Sequence, residues 1–134
     1  MSYRTLVGKR GEELAAEFLE NIGFTVICRN LRVSHDEIDI IAEDSKYIVF
    51  AEVKSRAQTE SNKRFGRPCL AVDYEKKQKL LRSVSEYLRR EHPAKQPRID
   101  VIEVYFPPIT ESTPIDIGKL VPLEIKHFRN AVHR

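Results

Sequence analysis

Between Glu37 and Arg56 the chain reads EIDIIAEDSKYIVFAEVKSR, two runs rich in Ile, Val and aromatic residues joined by the three residues DSK. Runs of this length and composition are strands, and a connection this short obliges them to pair antiparallel. The same segment carries Glu37, Asp39, Glu52 and Lys54. Charged side chains are rarely buried unless paired or bound to a metal. A sheet that places three carboxylates and an ammonium in its most apolar part therefore has something to do with them.

The remaining elements follow from periodicity. From Gly8 to about Asn21 the apolar residues Leu14, Ala15, Phe18, Leu19 and Ile22 form one helical stripe, and Gly23 stands where a C-cap glycine would. FTVICRNLRV is a first strand, closed by the turn residues SHD. EIDIIAE and YIVFAEVKSR are the second and third strands. Asp73 caps a helix from Tyr74 to about Glu91, with Leu80, Leu81, Val84, Tyr87 and Leu88 on its apolar face. RIDVIEVYF is a fourth strand, ended by Pro107 and Pro108, and the tail from Ile115 holds a short strand followed by a helical turn. The predicted order is α-β-β-β-α-β plus a tail. That is an α/β fold, a mixed sheet flanked by helices, and 134 residues suit one domain spanning 1–134.

Composition narrows the class. No apolar run approaches the roughly 20 residues of a bilayer span, so no membrane partner is expected. The opening MSYRTLVGKRGEE has no apolar h-region, so a signal peptide is not expected and a cytoplasmic location is. Two cysteines without a CxxC spacing suggest neither a zinc ribbon nor a disulfide framework. Net charge is +3, distributed unevenly: −4 over residues 1–53, +8 over 54–98 and −1 over 99–134. The basic middle segment permits a polyanionic partner.

Side chains two apart in a strand share a face, so Glu37 pairs with Asp39, and Glu52 with Lys54. The hairpin sets these pairs on neighbouring strands. Glu12, at the edge of the first helix's buried stripe, can reach the same patch. Acidic residues two apart usually form a solvated face, and a lone ExK is explained by a cross-strand ion pair. The apolar flanks of both runs favour a clustered site. One lysine does not offset three or four carboxylates, whereas a hard divalent cation with oxygen ligands does. Mg²⁺ or Mn²⁺ is the expected cofactor. Lys54, among carboxylates, is expected to stay protonated and to stabilise charge on a phosphoryl group.

The ordered series GKRGEELAAEFLENIGF, RNLR, EIDIIA, VFAEVKSR, the FGRP loop and RIDVIEV resembles the YraN-like family of uncharacterised bacterial proteins. That family is similar to the PD-(D/E)xK, or restriction-endonuclease-like, nucleases, and to archaeal Holliday-junction resolvases. The resemblance covers most of the chain. It implies a restriction-endonuclease-like core with Asp39 and Glu52 as metal ligands, Lys54 as the catalytic lysine and Glu12 as a further acid of the site. Glu37 lies in the signature segment, as a metal ligand or as a residue that shapes the hairpin. One departure is Asp36, where the family usually has Gly.

The expectation is a metal-dependent endonuclease hydrolysing phosphodiester bonds in DNA, with branched or damaged structures as candidate substrates. The alternative is a nucleic-acid-binding accessory protein with a vestigial or partner-dependent site. A homodimer would suit a two-fold substrate, as in junction-cutting relatives. Arg56, Lys63, Arg64 and Arg67 after the third strand, and Lys76 at the start of the second helix, are the expected phosphate contacts. His35, His92, His127 and His133 show no ligand spacing and are read as surface residues.

Overall fold

The computed structural model describes residues 3–57, 74–108 and 116–132. In chain order the elements are α1 (Tyr3–Asn21), β1 (Thr25–Val33), β2 (Asp36–Glu43), β3 (Tyr47–Ala57), α2 (Tyr74–Glu91), β4 (Gln96–Phe106), a single 3₁₀ turn (Ile117–Lys119) and β5 (Glu124–Phe128). The expected order is present. The tail differs in that its helical turn precedes its strand, and α1 begins five residues before Gly8. The Asp73 cap and the FGRP loop lie outside the described residues.

The five strands lie in sequence order, β1-β2-β3-β4-β5. β3 and β4 are parallel and every other neighbouring pair is antiparallel, so the sheet is mixed. Asp44 closes the β2–β3 hairpin: its Oδ1 accepts the N–H groups of Lys46 and Tyr47 at 2.8 and 2.7 Å. This explains why three residues suffice. α1 stops where Gly23 takes φ +103°. The N–H of Gly23 then bonds Glu20 O and that of Phe24 bonds Leu19 O, a Schellman closure that returns Phe24 to the core.

Each helix covers one face. Leu14, Ala15, Ala16 and Leu19 of α1 pack on Ile40, Ala42, Val49, Ala51, Ile102 and Val104. Leu80 and Val84 of α2 pack on Ile38, Ile41, Ile48, Phe50, Ile99 and Val101. Strands β3 and β4 are thus apolar on both sides, as a parallel pair under two helices requires.

Gly11 sets how closely α1 approaches the sheet. A Cβ there would lie 2.9 Å from Cβ of Ser55 on β3, inside any allowed contact. The next residue on the helix is Glu12.

A buried ionic network ties β4 to the tail. Asp100 is fully buried. It accepts two bonds from Arg98, at 2.9 Å each, one from Asn130 N at 2.8 Å and a 2.7 Å contact with His127 Nε2. His127 is therefore not the surface residue expected from spacing. Its ring also meets Phe18 edge-on at 5.6 Å. Burial alone would raise the Asp100 carboxyl. His127, Arg98 and the Asn130 N–H outweigh it and hold the group below the usual carboxylate range.

Two predictions follow from these contacts. A carboxyl depressed in the folded state contributes stability above its unfolded pKa, near 3.9, and loses it as pH falls through the folded value. Thermal denaturation should therefore show an acid-side loss below about pH 4 that is smaller in Asp100→Asn. That variant should be weaker at pH 7 by about 3–5 kcal/mol, because it leaves Arg98 without its buried partner. Gly11→Ala should cost about 1–3 kcal/mol in denaturant melts despite alanine's better helix propensity. Ser55→Gly in the same chain should recover most of that loss, and failure to do so would locate the cost elsewhere.

Candidate functional site: a fork in the sheet

β2 and β3 part company before either strand ends. Their ladder runs from Glu43↔Ile48 to Ile40↔Ala51. Beyond it β2 stays paired to β1 as far as Asp36, and β3 stays paired to β4 as far as Ala57. The sheet forks at this point. Asp39 stands at the crotch and bridges it with its side chain: Oδ2 accepts the N–H of Val53 at 2.8 Å, a bond that a backbone carbonyl would otherwise make.

The fork also breaks the strict alternation expected for β2. Ile38 packs on the α2 side, yet Ile40, two residues on, packs on the α1 side. Opposite this slip, between the pairs Leu31↔Ile38 and Arg29↔Ile40, Asn30 of β1 adopts φ +51°. Its side chain hydrogen-bonds the Glu12 carboxyl. A left-handed residue on the outer strand thus meets an acid arriving from α1.

On β3 the alternation holds. Val49, Ala51 and Val53 face α1, so Glu52 and Lys54 face α2. Glu52 is only 9% exposed. Its Oε1 receives Lys76 Nζ, from the first turn of α2, at 3.1 Å. Asp36, Glu37, Asp39 and Glu52 line one wall of a cleft of about 380 Å³; Glu75, Lys76 and Lys79 of α2 line the other.

Burial and like charge together disfavour the ionised acids around this cleft. Burial, then the neighbouring Glu52 carboxylate, push Asp39 up to about 7, against the Val53 N–H and Lys76, which pull it down. Glu12 is also raised, chiefly by burial, with Glu37 and Glu52 adding to it and Asn30 and Arg29 opposing. Lys54 moves the other way. Burial, Lys76 and Arg56 lower its ammonium, and together they exceed the opposing pull of Glu52 and Glu103. Lys76 and Arg56 thus join the expected carboxylates around Lys54. Arg56, two residues on along the same strand, is legible in the sequence, whereas the influence of Lys76, which comes from α2, is not.

Sequence reasoning named Glu12, Glu37, Asp39, Glu52 and Lys54, and the fold gathers them around the fork. Among the described residues, no three acidic, His or Cys side chains stand in an arrangement ready to hold a metal ion. The donors are nevertheless all hard carboxylate oxygens, and Asp39 and Glu12, raised first by burial and then by neighbouring acids, are groups whose ionised form a divalent cation would favour. Of the expected phosphate contacts, Arg56 is exposed at the end of β3 and Lys76 is engaged with Glu52. Lys63, Arg64 and Arg67 lie outside the described residues.

One residue was missed. Glu103, 1% exposed, stands directly across from Lys54 on the parallel side and from Lys126 on the antiparallel side. Tyr105 donates its hydroxyl to Glu103 Oε1 at 2.8 Å. The signal was present in IEVY, where a lone acid sits inside an apolar strand with Tyr105 two residues on, but its charged neighbours Lys54 and Lys126 are far away in sequence.

Comparison with known proteins gives the context. The model of the uncharacterised protein family UPF0102 matches residues 11–104, a span that holds Glu12, Glu37, Asp39, Glu52, Lys54 and Glu103. A UPF0102 protein of Clostridium kluyveri is 42% identical over 106 residues, covering 78% of this chain and 84% of the relative. Another, from Caldanaerobacter subterraneus subsp. tengcongensis, is 36% identical over 126 residues and covers 93% of both chains. A third, from Paenarthrobacter aurescens, is 39% identical over 131 residues, covering 96% of this chain and 95% of the relative.

Proposed function

The chain belongs to the uncharacterised protein family UPF0102, and from that premise we propose that it is a metal-dependent nuclease that hydrolyses phosphodiester bonds in DNA. One observation carries the reading. The half-buried Asp39 and the buried Glu52 are brought together at the fork, where burial first, and then the Glu52 carboxylate, push Asp39 up to about 7. A purely structural acid would be expected to look like Asp100, saturated with donors and held low.

Asp39 and Glu52 would hold Mg²⁺ or Mn²⁺, with Glu12 and Glu37 as further acids of the site. When bound, the cation polarises a phosphoryl oxygen and lowers the pKa of its water. Asp39 is held in place by the Val53 N–H, so its free oxygen has a fixed direction. Lys54, on the same strand face as Glu52, supplies positive charge toward a phosphate entering the cleft. Its lowered ammonium makes it readier to exchange a proton there than an exposed lysine would be. To hold the cation, Glu52 would give up its bond to Lys76, whose ammonium would then face the mouth of the cleft.

A second reading has its own support. Glu52 is engaged with Lys76, and among the described residues no three acids stand ready for a metal. An accessory nucleic-acid-binding protein, whose site is completed only by a partner, fits that arrangement.

Cleavage decides between them. Purified protein is incubated with linear duplex, single-stranded and four-way-junction DNA in Mg²⁺ or Mn²⁺, beside Lys54→Ala. The expected outcome is cutting by the wild type, reduced at least a hundredfold in the variant. A binding measurement runs in parallel. Saturating Mg²⁺ should raise the melting temperature, since a ligand at about 100 times its Kd adds roughly 2.7 kcal/mol to the folded state. Asp39→Asn keeps the acceptor for Val53 N–H and should fold, but should lose the metal-induced shift. Retention of the full shift in that variant would remove Asp39 from the metal site.

A further inference from the structure

A second groove opens beside the carboxylate cleft, about 1060 Å³ in volume and lined by the β1–β2 turn on one side and α2 on the other. The two cavities are contiguous, sharing Asp36 and Lys79. Resting on the nuclease reading of the cleft, we infer that this groove carries the phosphodiester backbone of the nucleic-acid strand into it.

The charge of the groove is specific to one wall. Lys77, Lys79, Arg82 and Arg89 of α2 all line it. Among the described residues, Lys77, Lys79 and Arg82 make no ion pair with any acid. The one acid on that wall, Glu86, is already spent: Arg89 reaches it at 2.6 Å and Arg90 at 2.8 Å. The opposite wall is the two-residue turn Ser34–His35, in which Ser34 takes φ +61°. It offers a hydroxyl and an imidazole rather than charge. Asp36 is the remaining acid, and it sits at the junction with the carboxylate cleft.

Shape selects the ligand class. A small-molecule pocket encloses most of its ligand, whereas this groove is open along a helix. Lys77 to Arg89 spans about 18 Å at 1.5 Å per residue, comparable with about five nucleotides of a B-form strand at roughly 3.4 Å each. The unpaired Lys77, Lys79 and Arg82 at one end, continued by Arg89, which is shared with Glu86, make a basic wall that suits a regularly spaced polyanion. A membrane surface would instead need an exposed apolar band beside the charge, and the groove's one large aliphatic, Leu81, is half-buried.

The test separates the groove from the chemistry. Labelled duplex DNA, single-stranded DNA, four-way-junction DNA and single-stranded RNA are titrated with the full chain in EDTA, over a series of salt concentrations. The wild type is compared with Lys77→Ala/Lys79→Ala/Arg82→Ala and with Lys9→Ala/Lys46→Ala/Lys119→Ala, which removes the same charge from exposed positions elsewhere. Circular dichroism melts check that each variant folds. The groove variant should bind at least tenfold more weakly, and its log Kd against log salt slope should shrink by about 2–3 for duplex. The control variant should keep at least two thirds of the wild-type slope.

Equal losses in the two variants, or no binding by the wild type to any of the four, would overturn the groove. Binding through the groove without cleavage in Mg²⁺ upholds it and removes the nuclease reading. Cleavage with unchanged binding by the groove variant does the reverse. Preference for RNA upholds the groove and takes DNA out of the proposed function.

Discussion

The parting of β2 from β3 is the constraint on which the site depends. Two strands that stay paired to their ends have their backbone groups satisfied by each other and leave no room between them. Here the ladder ends at Ile40↔Ala51, and the next backbone donor, Val53 N–H, is answered by a side chain. A carboxylate that replaces a peptide carbonyl in this role is fixed as firmly as the sheet itself. It also brings a charge to a place where a paired sheet would have none. The gap lets an acid from the α1 side, Glu12, act electrostatically on acids that face α2.

The two fates of buried aspartate in this fold are instructive. Asp100 and Asp39 both sit within strands of the same sheet. Asp100 has Arg98, His127 and the Asn130 N–H around it, and its ionised form is favoured. Asp39 has one backbone donor, a distant lysine and a neighbouring Glu52, and its ionised form is disfavoured. The difference lies in the count and sign of the partners, since burial raises both. The first arrangement is a clasp between β4 and the tail. The second leaves coordination capacity open.

Much of this was legible in the sequence. The bounds of α2, the antiparallel β2–β3 pair and the shared face of Glu52 and Lys54 follow from period, turn residues and a three-residue link, all local properties. What was not legible depends on distant pairing. Strict alternation from Ile38 to Ile40 fails because β2 turns away from β3, and nothing within EIDII encodes that. Asn30 reads as an ordinary strand residue; its left-handed backbone appears only against Asp39 and Glu12. Glu103 gains meaning only when Lys54 and Lys126 are placed on either side of it. His127 looked isolated because its partner, Asp100, is 27 residues away. The influence of Lys76 on Lys54 was hidden for the same reason, since Lys76 comes from α2, 22 residues along the chain.

Asn30 has an additional effect on the outer rim of the molecule. Among the described residues β1 is an edge strand, with no strand paired to its far side, and open edges invite a second chain to add on. Its ladder to β2 already shifts register between Val26 and Cys28, and two residues after Cys28 the backbone turns left-handed at Asn30, flanked by the exposed Arg29 and by Arg32. A partner strand laid against that rim would lose hydrogen bonds at both irregularities and bring its own backbone against two guanidinium groups. The residue that meets Glu12 therefore also makes the β1 rim a poor template for a second strand.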